Sequence, residues 1–338
     1  MADLTNPPMI FAIPAAMPFA EDICKHLGLD DGVQSMRVGK FACGETRVDK
    51  ITESVRDRTV YVIGWGVGDI NDNLIETCTV VNALRLATAT RITVVFPNLP
   101  YSRQDRKAAP RQAITAKLVA DILTKAASVD RIITMDLHAA QIQGFYAPIP
   151  VDNLYGSPTL VGHIAEKFAS DKTAPLAVVS PDMGGSRRAD ATVSMLRGLG
   201  FTDVAMVIMN KVRDPESGEV VRQDIIGDPA RRHCILVDDM GDTCGTLLRA
   251  SERLRGVGIK GGVLSVSVAI THGVFSKDAV AKLQGAVGID KIYVTDTCLE
   301  LDKFAGQDKI EVLSVAGLFA AAIHANHVGG SISRLFDL

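Results

Sequence analysis

Compact apolar runs recur along the chain at Val60–Ile63, Ile92–Phe96, Arg131–Met135, Ala177–Ser180, Val204–Met209, Cys234–Val237, Val263–Ala269 and Lys291–Thr295. They are rich in valine and isoleucine and show little polar alternation, the signature of strands buried on both faces. Between them lie longer amphipathic segments, among them Asp72–Ala89 and Ala113–Ala127. This alternation predicts an α/β fold of mainly parallel sheets flanked by helices. The clearest break is Pro148-Ile149-Pro150 followed by Ser157-Pro158, with a new helix expected from about Thr159. A domain boundary is expected there, dividing the chain into residues 1–152 and 153–338. Residues 8–20 predict a first strand and a loop, since three prolines interrupt the run. Lys211–Asp228 is mostly polar, contains Pro215 and Gly218, and separates two strong strands, so it predicts a mobile flap or hairpin.

Composition narrows the class. A chain of 338 residues exceeds the size at which single cores stop growing, and 47% apolar residues suffice for two. The net charge of −3 gives no reason to expect nucleic acid as a partner, so any basic site must be local. The six cysteines are scattered without a Cys-x-x-Cys pair, which points to a reduced, cytoplasmic protein. The apolar stretch near the start has no Lys or Arg before Lys25, so no export signal is expected, and no run approaches the roughly 20 residues that span a bilayer.

Val237–Thr246 carries the most chemistry. A buried strand there delivers Asp238 and Asp239 to its carboxyl end, where open α/β sheets bind ligands and carboxylates accept hydrogen bonds from vicinal sugar hydroxyls. Asp242, Thr243, Cys244, Gly245 and Thr246 then bend into a helix expected from about Leu247, forming a nest of backbone N–H groups and hydroxyls suited to a 5-phosphate. An ordinary capping turn with solvent-facing aspartates is the plainer alternative. Three further motifs follow strands. Phe96–Lys107 is dense in cations, with Arg103 offering a planar fork and Gln104 a neutral donor for a polyphosphate. Asp136-Leu137-His138 places a histidine where it could touch phosphate or Mg²⁺. Ser180–Arg188 presents Asp182 as a possible metal ligand beside a Gly-Gly pair that admits close backbone approach. Lys211 and Arg213 alternate along an extended segment, so both point to one face.

Taken in order, these motifs resemble the ATP-using ribose-phosphate pyrophosphokinases, also called phosphoribosyl pyrophosphate synthetases. The carriers are Lys40-Phe41 with Glu45, Ile70–Asn73, Tyr101–Lys107, Ile114–Val119, Met135–His138, Gln141–Phe145, Ile149–Tyr155, Ser180–Asp182 and Val237–Thr246. The resemblance implies two type I phosphoribosyltransferase-like domains, with the last helix packing back on the N-terminal one. It implies diphosphoryl transfer from ATP to ribose 5-phosphate with Mg²⁺ as cofactor, in a homo-oligomer, a hexamer with active sites shared between subunits. Phe41, Cys43, Gly44 and Glu45 would serve a neighbour's adenine site, and Arg103 and Gln104 would bind ATP. His138 and Asp182, with Asp136 and Asp152 as further candidates, would organise the metal. Asp238, Asp239, Asp242–Thr246 and Arg213 would hold ribose 5-phosphate, and Lys211 and Arg213 would be catalytic. Ser331, Ser333 and Phe336 match a stretch that contacts effectors.

The chain departs from the family at Cys43-Gly44, at Gly64-Trp65 and at Ala108-Ala109, where a more polar pair, Gln-Ser and an acidic-basic pair are usual. A phosphoribosyltransferase would use the sugar-phosphate loop equally but would not need Tyr101–Lys107 or the Phe41 region. A silent associated subunit would lack the cations that Lys211 and Arg213 supply.

Overall fold

The structure, a computed structural model, describes residues 7–213, 220–256, 258–298, 304 and 307–336. The chain divides into two compact units, Met1–Tyr155 with Val315–Asp337, and Gly156–Ser314.

The first unit opens with strand β1 (Met9–Ala12) and, after a short turn, helix α1 (Met17–Leu27). A helix therefore stands where the proline-rich sequence predicts a loop. Pro18 falls in the first turn, where its missing N–H costs nothing, and Gly28 at φ +66° closes the far end. A two-stranded antiparallel hairpin follows, β2 (Met36–Lys40) and β3 (Thr46–Ile51). Next come β4 (Thr59–Ile63), α2 (Ile70–Leu86), β5 (Arg91–Phe96), α3 (Thr115–Asp121), β6 (Arg131–Met135) and β7 (Val151–Leu154). The predicted Ala113–Ala127 helix is thus shorter as regular α-helix, continuing through a wider π-type turn at Ile122–Ala126. The sheet is all parallel in the order β1-β4-β5-β6-β7. Val60, Val62, Ile92, Val94, Val95, Ile132 and Ile133 are fully buried, as strands covered on both faces require.

The second unit comprises α4 (Ser157–Lys167), β8 (Leu176–Ser180), α5 (Ser186–Gly198), β9 (Val204–Arg213), β10 (Val220–Ile226), β11 (His233–Gly241), α6 (Gly245–Arg255), β12 (Ser265–Gly273), α7 (Ala279–Gly285), β13 (Lys291–Thr295) and β14 (Ile310–Leu313). A final helix, α8 (Ala316–His327), belongs to the first unit, where Phe319 meets Phe19 of α1 edge-on at 5.5 Å and Asn326 accepts a 2.8 Å hydrogen bond from Tyr61.

The strand order of the second sheet is β10-β9-β8-β11-β12-β13-β14. From β8 the chain winds first toward β9, then returns to lay β11 on the other side of β8 and continues away. Right-handed crossovers then force α5 onto one face and α6 and α7 onto the other. The cores agree. Leu176 and Val178 pack with Val161, Ile164, Val193 and Leu196 of α4 and α5, while Ala177 and Val179 pack with Leu247, Leu254 and Leu283 of α6 and α7. Each fully buried Leu or Val side chain contributes about 1.5–3 kcal/mol relative to exposure. Lys211–Asp228 falls largely on the antiparallel edge hairpin β9–β10; residues 214–219 lie outside the described residues. Among the described residues no helix is long and apolar enough to cross a membrane.

Candidate active site

The reversal of winding leaves a crevice beyond the carboxyl ends of β8 and β11, which are direct parallel neighbours with Leu236 level with Val179. Strands on either side of such a point send their following loops apart, which opens room for a ligand. Both Ser180–Arg188 and Val237–Thr246 end there.

The strand β11 runs further than its apolar run predicts, so Asp238 and Asp239 lie within it rather than beyond it. Asp239 is buried and Asp238 half-buried, which removes the solvent-facing alternative. Burial and the neighbouring Asp239 charge push the Asp238 carboxyl up to about 7, although Arg188 opposes the shift. Arg188, from the first turns of α5, stands across the crevice with its guanidinium 3.4 Å from Asp238 and 3.7 Å from Asp239. Its weight in the site was not legible from the sequence, which shows only a double arginine fifty positions away from the acid it meets.

Beyond the aspartates the chain turns tightly. Gly241 sits so close to β12 that an added Cβ would lie 2.7 Å from Ile270 Cδ1. Two backbone bonds hold the turn from the next loop, Phe275 N–H to Gly241 O at 2.9 Å and Ser276 N–H to Asp242 O at 3.1 Å. Cys244 adopts φ +58° as the residue before α6, which begins at Gly245, two residues earlier than expected. Thr246 therefore falls in the helix's first turn, and no side chain caps that end. The backbone N–H groups of the first turn, the positive helix end and the hydroxyls of Thr243 and Thr246 together make an anion nest. The Cys244 thiol is buried and pushed up to about 12, so it is no nucleophile at neutral pH.

On the β8 side, Asp182 Oδ1 accepts the Gly185 N–H at 3.2 Å, and the Ser180 hydroxyl donates to the Asp182 carbonyl at 2.7 Å. Gly185 is required by close approach, since a Cβ would stand 2.7 Å from Ser180 Oγ. Neighbouring β9 continues past Ile208, which is level with Ser180, to Lys211 and Arg213. The side chains of those two residues lie outside the described residues.

In the first unit, two loops leave neighbouring strands β5 and β6 at their carboxyl ends, and Gln141 ties them by donating to Asp105 at 2.9 Å. Arg103, Gln104 and His138 are exposed, and the Gln104 side chain accepts from Thr115 Oγ1 at 3.1 Å. Asp136 adopts φ +39° at the end of β6, while Asp152 on β7 is bound by the Arg131 guanidinium. Phe41, Cys43, Gly44 and Glu45 form the exposed turn of the β2–β3 hairpin, closed by Gly44 N–H to Phe41 O and Phe41 N–H to Glu45 O, both 2.8 Å. The Phe41 ring is 49% exposed, and the Arg47 guanidinium lies 5.1 Å from its centroid. At the other end of the chain Ser331 and Ser333 share a 2.8 Å hydrogen bond, and Phe336 packs against Tyr155.

No group of three His, Cys, Asp or Glu positioned to hold a metal occurs among the described residues. Mg²⁺ that travels with substrate phosphates needs only one or two protein ligands and keeps its waters, and single oxygen donors such as Asp182 fit that mode.

A mainly parallel sheet wound outward from a central strand, with an acidic pair and a phosphate-cradling turn at the reversal, defines a protein of the phosphoribosyltransferase fold class. Residues 8–127 match the N-terminal domain of ribose phosphate pyrophosphokinase and residues 164–337 the phosphoribosyl synthetase-associated domain. The chain belongs to the ribose-phosphate pyrophosphokinase family. The crystal structure of phosphoribosylpyrophosphate synthetase from Mycobacterium smegmatis is similar over 96% of this chain and 100% of that one, at 35% identity and a TM-score of 0.84. Hypoxanthine phosphoribosyltransferases of Trypanosoma cruzi and Staphylococcus aureus each align with 34% of this chain, and with 64% and 62% of their own, at 16% identity. Their TM-scores of 0.28 and 0.26 carry no argument.

Proposed function

We infer that the chain is a ribose-phosphate diphosphokinase, converting ATP and ribose 5-phosphate to 5-phosphoribosyl 1-diphosphate and AMP. The observation that carries the reading is the acidic pair running into an uncapped helix start at the switch point, in a chain of this family. Ribose hydroxyls donate to Asp238 and Asp239, and the 5-phosphate sits on the nest from Asp242 to Thr246. The 1-hydroxyl oxygen bonds to the β-phosphorus as the bond from that phosphorus to the α-β bridging oxygen breaks. AMP leaves with that oxygen, and the hydroxyl proton is released.

Lys211 and Arg213 are the cations we assign to the charge that grows during transfer, with Arg213 also touching the sugar phosphate. Arg103 and Gln104 hold the ATP phosphates. The exposed Phe41 ring supports a contact made outside its own subunit, so Phe41, Cys43, Gly44 and Glu45 serve a neighbour's adenine, in a homo-oligomer we take to be a hexamer. His138 and Asp182 are the residues that would hold Mg²⁺, with Asp136 second to them. When bound it neutralises phosphate charge and aligns the diphosphoryl group. Asp152 is left out, because a carboxylate already neutralised by Arg131 is a poor ligand. Ser331, Ser333 and Phe336 remain candidates for an effector contact. Six free cysteines, four of them buried, suit the reducing cytoplasm.

Chromatography of a reaction with ATP, Mg²⁺ and ribose 5-phosphate tests the assignment. AMP should accumulate only when the sugar phosphate is present and without any nucleobase. Accumulation of ADP, or dependence on a nucleobase, would overturn it.

A further inference from the structure

A second basic site lies in the first unit, apart from every residue assigned above. An open cavity of about 680 Å³ adjoins the carboxyl end of β1, within the size range of about 300–1,000 Å³ typical of small-molecule pockets. One wall is apolar, from Pro14 and from Met17 at the start of α1. The other is the base of the β2–β3 hairpin, where Ser35, Arg37, Lys50 and Thr52 line the space. Arg37 is directly opposite Lys50 in the strand register. Side chains alternate along a strand, so Ser35 and Arg37 share a face with Lys50 and Thr52.

That face is unbalanced in charge. Like charges directly across an antiparallel pair repel. The hairpin's other cations are neutralised, Lys40 by Asp72 and Arg47 by Asp49. Arg37 and Lys50 have no such ion pair among the described residues, and none of the residues lining the cavity is acidic. The first turn of α1 carries no acidic residue either, so its positive end adds to the same potential. Two cations, two hydroxyls and an apolar wall around one cavity call for an anion with an apolar body.

We propose that this cavity binds a phosphate ester with a largely apolar body, its dianion held by Arg37 and Lys50 with Ser35 and Thr52 donating, and its body against Pro14 and Met17. A guanidinium paired with hydroxyl donors suits the several acceptor oxygens of a phosphate better than a single carboxylate does.

The test uses 1-naphthyl phosphate as probe, followed by fluorescence anisotropy on the full chain with the sugar-phosphate loop saturated by ribose 5-phosphate. Saturable binding is expected, at least tenfold weaker in R37Q/K50Q, while turnover with ATP and ribose 5-phosphate is unchanged. Met17→Glu, which leaves the hairpin intact and introduces a carboxylate at the opposite wall, should weaken the probe at least as much. 1-Naphthol should fail to compete, and inorganic phosphate should compete only at tenfold higher concentration or more. Circular dichroism confirms that each variant is folded. Affinity in either variant equal to the parent's, an absence of saturable binding, or competition by naphthol or phosphate equal to that of the ester would each overturn the proposal.

Discussion

Asp238 is the residue where fold and chemistry pull against each other. Its carboxyl lies inside a strand beside a second carboxyl, and both effects favour the protonated form, raising it to about 7. An unfolded chain would release that proton near pH 4. Stability from the retained proton is therefore complete below about pH 4 and lost as pH rises through about 7. Asp238→Asn removes this penalty, so by calorimetry the variant should be more stable than the parent at pH 8 and match it near pH 4. Its Michaelis constant for ribose 5-phosphate should nevertheless rise, because an amide offers one acceptor oxygen in place of two. A variant less stable than the parent at pH 8 would place the cost elsewhere. The aspartates, threonines and glycine of this loop were legible from residue type alone, since buried-strand patterning put them at the sheet's active edge. Arg188 was not, because nothing local marks which arginine will cross a crevice to an acid on another strand.

At the scale of elements, close approach decides where loops go. Gly66 lies just past β4, and a Cβ there would stand 1.9 Å from the carbonyl oxygen of Asn98, in the loop after β5. A backbone atom cannot swing aside as a flexible side chain does. Gly66→Ala should therefore cost about 1–3 kcal/mol and displace the loop that carries Arg103 and Gln104. Initial rates should show a raised Michaelis constant for ATP with little change for ribose 5-phosphate; equal changes in both would mean general loss of structure. The edge hairpin β9–β10 gives a second expectation. Lys211→Ala should lower kcat roughly 100- to 1,000-fold, by analogy with loss of one preorganised donor, while titration calorimetry shows ATP affinity unchanged. Affinity and kcat falling together would make Lys211 a ground-state anchor. Long valine- and isoleucine-rich runs announced β4, β5, β6, β8 and β13 because burial on both faces leaves a continuous apolar signature. The β2–β3 hairpin carries mixed charge and half-buried residues, so its period was hidden, and α1 was obscured by prolines that its first turn tolerates.

For the molecule as a whole, the doubly wound order of the second sheet follows from crossover handedness once the strands are known, but the point of reversal is set by long-range pairing that no local pattern encodes. The proposed sharing of active sites between subunits belongs to the same scale. If Glu45 serves a neighbour's ATP, a Glu45→Gln preparation and a Lys211→Ala preparation should each be nearly inactive, yet regain activity after dissociation and reassembly together. A mixture no more active than its parts would confine each site to one subunit.

A diphosphoryl group should move intact from ATP to the anomeric oxygen of ribose 5-phosphate. Phosphorus NMR of the running reaction with Mg²⁺ reads this directly. A coupled pair of diphosphate resonances on the sugar should grow in step with the singlet of AMP, with no signal from ADP. Growth of ADP with a single phosphate ester on the sugar, or an ATP spectrum unchanged by ribose 5-phosphate, would contradict it.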